Sequence, residues 1–230
     1  MGMDTMHEMN ELAKIYKMGA EHSLNHKNGN RSSNRTDLLH NEIASFLYKH
    51  LELDPLFWEC SMEKKIPCAR SSSSNTKKNF SVDIVFTHKH SGKNLYVLFK
   101  SIEKSYNKNK ENFSNCSVGE TERIFGYSPL YGDELKNSRQ NDVLLFIELL
   151  PTSVLNGKKP ERTNKTCPDI RNLRLFHPKV FYLSAHLEVG EYGDNFKSFV
   201  KDGLCLSQLA VRNAEDARET LREVREAMVE

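Results

Sequence analysis

Paired cysteines, long apolar runs and nucleotide-binding glycine signatures are all missing from this 230-residue chain. The five cysteines (Cys60, Cys68, Cys116, Cys167 and Cys205) are odd in number, scattered, and include no C-x-x-C pair. Structural zinc and disulfide frameworks both need closer, paired thiols, so reduced cysteines in a cytoplasmic protein are expected. No run approaches the roughly 18 apolar residues of a membrane-spanning helix, and no membrane partner is expected. The opening MGMDTMHEMNELAK lacks the basic-then-apolar pattern of a secretory signal. Absent too are a P-loop, a GxGxxG turn and a G-x-S-x-G elbow, which sets aside the chemistries those motifs serve. His88-Lys89-His90 puts two imidazoles on a turn with no further histidine partners, a weak basis for a metal site.

What is present is a globular composition, 38% hydrophobic and 28% charged, with charge that is segregated rather than scarce. The net charge is only +2, yet from Ser61 to Lys110 eleven Lys or Arg face three acids. From Leu150 to Phe181 seven basic residues face Glu161 and Asp169, whereas the last twenty residues carry six acids and four arginines. A basic side and a neutral back suit a protein that meets a polyanion.

Apolar spacing predicts a helix over about residues 1–20 (Met9, Leu12, Ile15, Tyr16), then a polar loop from Asn25 to Arg35. Thr36 or Asp37 caps a second helix running to about Leu51, with Leu39, Ile43, Phe46, Leu47 and His50 on one stripe. Glu42 falls inside that stripe. A carboxylate there either reaches solvent at the stripe edge or points into a functional site. Phe57–Ile66, Phe80–Thr87 and Leu95–Ser101 read as strands, the last two joined through Ser91-Gly92. Ser105–Phe113 is a polar helix candidate, and Asn115–Asp133, with three glycines, reads mostly as loop. Asp142–Leu149 and Lys179–Ser184 are continuous apolar runs, the mark of strands covered on both faces. Residues 195–210 and 214–229 are expected to be helices. The fold class is therefore α/β, a mixed central sheet flanked by helices. Residues 1–35 form an N-terminal helix and loop, and residues 36–230 a single domain with its core at 36–150 and elaborations after it.

Two charges stand alone on apolar strands: Asp83 in FSVDIVF and Lys100 ending YVLFK. With the preceding helix and its Glu42, this order resembles the PD-(D/E)XK nuclease superfamily, and within it the type II restriction endonucleases. The resemblance spans roughly Thr36 to Leu149 and implies a restriction-endonuclease-like core. It also implies a Mg²⁺-dependent enzyme that cuts double-stranded DNA at a specific, palindromic site as a homodimer. Asp83 would match the strand acid, Lys100 the lysine, and Glu42 the helix glutamate. Asp83, Glu42 and the Phe99 carbonyl would hold the metal. Carboxylate-held Mg²⁺ stabilises charge on attacking and leaving oxygens, and a neighbouring lysine orients the water.

The chain departs from the E-x-K pattern in one place: it reads Leu98-Phe99-Lys100. Three readings follow. The missing acid is supplied elsewhere, by Glu42 first, or by Glu103 or Glu59. The site works with Asp83, the Phe99 carbonyl and water. Or the protein is a catalytically inactive DNA binder on a nuclease-like core. Beyond the strand, Lys104, Ser105, Asn107, Lys108, Asn109, Lys110, Asn112 and Asn115 offer cations for phosphates and amides for base edges. Thr152–Pro178 is a second candidate DNA-facing loop, or simply a basic surface excursion.

Overall fold

The apolar runs of the sequence become the middle of a six-stranded sheet whose strands lie in chain order, β1-β2-β3-β4-β5-β6. A computed structural model describes residues 2–25, 33–68, 79–101, 117–126, 134–151, 173–175, 177–189 and 209–229. Strands β1 (Trp58–Pro67), β2 (Asn79–His88) and β3 (Asn94–Ser101) form an antiparallel meander. β4 (Val143–Pro151) and β5 (Val180–Val189) continue parallel to β3, and β6 (Leu209–Val211) closes the edge antiparallel to β5. The sheet is mixed, as expected. The β2–β3 turn needs Gly92, whose φ of +71° lies in the left-handed region, where its N–H donates to the His88 carbonyl.

Along β3 the side chains alternate cleanly. Leu95, Val97 and Phe99 enter one core cluster, Tyr96 and Leu98 the other. The larger cluster lies under helices α1 (Gly2–Asn25), α2 (Ser33–His50) and α5 (Ala214–Val229), and includes Leu12, Tyr16, Leu39, Ile43, Leu47, Leu221 and Val224. α1 packs against α2, α5 and β6, so the N-terminal helix belongs to the same core as the rest. Asn213 ties the start of α5 to β5: its Oδ1 accepts from His186 N (2.8 Å) and its Nδ2 donates to the Ser184 carbonyl (2.6 Å). No helix among the described residues is long and apolar enough to cross a membrane.

The smaller cluster is covered by a helix that the sequence reading missed. Residues 117–125, expected as loop, form α3, which sets Ile124 against Val82, Val85, Tyr96, Leu98, Leu144 and Phe146. Of the glycines that suggested a loop, Gly119 lies inside α3 and Gly126 marks its end. Gly126 N–H donates to the Glu122 carbonyl, and a Cβ at Gly126 would stand 2.4 Å from that oxygen. The stop requires glycine. After α3 comes the short α4 (Glu134–Ser138), then Arg139, which is buried and donates to the Ile124 carbonyl and the Pro67 carbonyl, each at 2.8 Å. This side chain fastens α3 and the end of β1 to the same face.

The remaining differences are at the ends. α2 begins at Ser33, before the expected cap, and β5 runs on to Val189. Leu209 and Ala210, expected in a helix, lie in β6, where pairing with β5 overrides local propensity. The expected polar helix at Ser105–Phe113 lies outside the described residues, as do residues 152–172 of the second basic loop. Cys60 and Cys68 are free thiols, and the other three cysteines lie outside the described residues.

One buried carboxylate holds the base of the sheet. Asp142, 3% exposed, accepts from Asn94 N (2.7 Å), Asn94 Nδ2 and Tyr96 Oη (2.8 Å), locking the start of β3 to that of β4. Truncation would leave the part-buried Asn94 N–H and the buried Tyr96 hydroxyl without this acceptor. Asp142→Ala is expected to cost about 3 kcal/mol of unfolding free energy in a urea titration. A loss well under 1 kcal/mol would contradict this role.

Candidate active site

The candidate site forms where the β2–β3 ladder stops. Register pairs run from Thr87↔Asn94 to Ile84↔Val97 and go no further. The next residue, Asp83, turns its carboxylate into the ladder instead, and Oδ2 accepts from Phe99 N at 2.8 Å. β3 continues beside β4 alone, pairing Leu98 with Phe146 and Lys100 with Glu148. β2 itself rotates at Asp83: Val82 and Val85 share a face, which a regular two-residue repeat forbids. On the other side, Met62 pairs with Ile84 and Lys64 with Val82, so Glu63 falls opposite Asp83. Glu63 has a φ of +48°, an uncommon value for a residue with a side chain.

Lys100 lies on the α3 face of the sheet with Leu98. Its Nζ is 3.9 Å from Glu120 Oε1, a carboxylate carried by α3. Leu98 itself is core, 4% exposed. Glu120 Oε2 is buried without a hydrogen-bond partner among the described residues. Burial raises the Glu120 pKa above the ordinary carboxylate value; Lys100 opposes the shift and Asp83 adds to it. Asp83 is likewise raised by burial, against the Phe99 N–H, His40 and Lys100, with Glu63 pushing the same way as burial. Beside Lys100 on β4, Glu148 is fully buried, takes a hydrogen bond from the Tyr182 hydroxyl, and keeps Oε1 unpartnered among the described residues.

The structure thus brings Asp83 and Lys100 together, and the further acid near them is Glu120 of α3. Glu42 is not part of the group. It is half-buried on α2, two positions from the buried His40 and so roughly 200° around the helix from it. The buried arc of α2 runs through Leu39, His40, Ile43, Ala44, Phe46 and Leu47, leaving the half-buried Glu42 at its margin beside Phe46. His40 is the α2 side chain that approaches Asp83. Of the other candidates, Glu59 is exposed on β1 and Glu103 lies outside the described residues. Phe99 stands beside Asp83 through its N–H, with its ring in the opposite core. The eight proposed DNA-contacting positions from Lys104 to Asn115 lie outside the described residues.

Two signals in the sequence point to what was missed. Glu120 stands four residues before Ile124, so a helix there must turn both toward the sheet. Glu148 is a lone acid inside the apolar run VLLFIELL. Around Lys100 stand Glu120, with an unpartnered buried oxygen among the described residues, and Glu148, and Asp83 lies close enough to raise the Glu120 pKa. Carboxylate oxygens of this kind are the ligand type of a hard divalent cation. No family model, curated protein or solved structure matches this chain.

Burial pushes Glu148 up from 4.5 to about 7. The folded state therefore binds a proton that the unfolded chain has released between those values, and stability falls as pH rises through this window. In metal-free buffer, Glu148→Gln is expected to remove that slope and to gain about 2–3 kcal/mol relative to wild type between pH 4.5 and pH 8. Urea titrations at the two pH values measure it. Parallel stability profiles for the two proteins would refute it.

Proposed function

We propose that the chain is a divalent-metal-dependent endonuclease of PD-(D/E)XK type acting on double-stranded DNA, most like a type II restriction enzyme. The observation that carries this reading is the ion pair between Lys100 and Glu120 beside Asp83. It supplies an acid where the E-x-K pattern of the strand is broken by Leu98. The competing reading of an inactive DNA binder rested on that gap, so the α3 glutamate favours catalysis.

In this reading Asp83 and Glu120 hold the metal, and their desolvated carboxylates gain most from a cation. A Mg²⁺ ion held by these carboxylates would supply charge stabilisation to the attacking and leaving oxygens of the phosphodiester. Lys100 donates from Nζ to the attacking water or to a non-bridging phosphate oxygen, its direction set by Glu120. The Phe99 N–H fixes one oxygen of Asp83 and leaves the other for the metal. Tyr182 and Glu148 form the floor beside Lys100. The Lys- and Asn-rich residues 104–115 follow β3 directly and grip the duplex, and two copies of the chain meet a palindromic site.

Incubation with supercoiled plasmid and phage DNA in Mg²⁺ tests this. Wild type is expected to linearise or fragment the DNA, with discrete bands for a site-specific enzyme. Asp83→Ala, Lys100→Ala and Glu120→Gln should each slow cleavage by about 10²–10⁴-fold, whereas Glu42→Gln should cut at the wild-type rate. Salt-dependent binding without cleavage, identical in wild type and Asp83→Ala, would leave the inactive DNA binder instead.

A further inference from the structure

Asp83 has a second flank. On the side away from Lys100, one ligand atom each from His40, Glu63 and Asp83 lie within 4.8 Å of one another. Three donors so spaced can surround a single ion whose bonds are each about 2.0–2.3 Å long. His40 is 3% exposed, and its Nδ1 has no hydrogen-bond partner among the described residues, although Glu63 Oε1 is 3.2 Å away. A buried imidazole nitrogen left in this state and aimed at two carboxylates is an incomplete polar group. The ring is held edge-on to Phe99, with centroids 6.1 Å apart, so its direction is set by packing.

Glu63 points to the same place. Its left-handed backbone is one that residues with a Cβ avoid, and such strain collects at functional positions. Ser81 Oγ donates to Glu63 Oε2 at 3.3 Å, leaving Oε1 toward His40. Glu63 is exposed, which opens the group to ions from solvent.

The donor chemistry selects the ion. Mg²⁺ favours oxygen ligands and retained water, while an imidazole nitrogen suits first-row transition ions. One nitrogen with two carboxylates fits a first-row transition ion better than Mg²⁺, and Mn²⁺ is the member of that series that itself favours carboxylates. We propose that His40, Glu63 and Asp83 form a second cation site that takes Mn²⁺ ahead of Mg²⁺. It shares only Asp83 with the site described above. Its use in catalysis rests on the nuclease reading; the binding does not.

Titration of the full-length chain with Mn²⁺ alone, followed by electron paramagnetic resonance without DNA, tests the site. Bound Mn²⁺ should show nitrogen hyperfine modulation, which His40→Ala abolishes and Glu120→Gln retains. Glu63→Gln, at an exposed position, should weaken Mn²⁺ binding by about tenfold or more with an unchanged melting temperature, which keeps the test decisive if His40→Ala misfolds. Equal Mg²⁺ should leave the bound Mn²⁺ signal in place. Bound Mn²⁺ without nitrogen modulation, unchanged affinity in Glu63→Gln, or displacement by equal Mg²⁺ would each overturn the site. A parallel plasmid assay separates the two readings. Nitrogen-coupled Mn²⁺ with no DNA cleavage supports the site and counts against the nuclease. Cleavage without nitrogen-coupled Mn²⁺ overturns the site alone.

Discussion

The hydrogen bond from Phe99 N to Asp83 Oδ2 is the constraint on which the rest of the site depends. A side-chain carboxylate takes the place of a ladder carbonyl, so the backbone donor of a buried strand stays satisfied while β2 and β3 part. A bond of this kind to a charged acceptor is worth about 1.5–3 kcal/mol, which offsets only part of the cost of burying the carboxylate, whose pKa stays raised. With β2 gone, β3 has β4 as its sole partner, and Lys100 emerges beside Glu148 under α3. The rotation of β2 at the same residue leaves the Asp83 carboxylate near His40 and Glu63 as well. One side chain therefore stands at the junction of two cores and touches the chemistry of both.

Around that junction the helices that carry the polar groups are held by apolar packing. α3 carries Glu120 because Ile124 anchors it to the sheet and Gly126 ends it, while Arg139 clamps the Ile124 carbonyl. α2 carries His40 because Leu39, Ile43 and Leu47 fill the opposite core. Neither helix needs the charged residue to stay in place. Glu120 is thereby kept desolvated with one oxygen unpartnered among the described residues, a state that burial disfavours.

Much of the frame was legible. β1 to β5, α1, α2 and α5 follow from periodicity and apolar runs, and Asp83 and Lys100 stood out as lone charges on apolar strands. α3 did not, because Gly119 and Gly126 mimic loop composition, and only packing on Tyr96 and Leu98 shows the Val118–Ile124 spacing to be a helix face. Glu42 looked like an inward acid because it shares a stripe edge with Leu39 and Phe46. The true buried arc is displaced toward His40, by a rotation of α2 that no local pattern reports. Glu63 was invisible, since its position opposite Asp83 arises from strand register and a left-handed backbone.

The sequence by itself determined where strands and helices form and which two strands carry isolated charges, because side-chain periodicity acts within one element. Only the tertiary structure decided which acids join them. Glu120, Glu63 and His40 come from three different elements, and their convergence depends on the phase of each helix and the register of each strand. Those are set by how two apolar faces of one sheet are filled, a property of the packed chain as a whole.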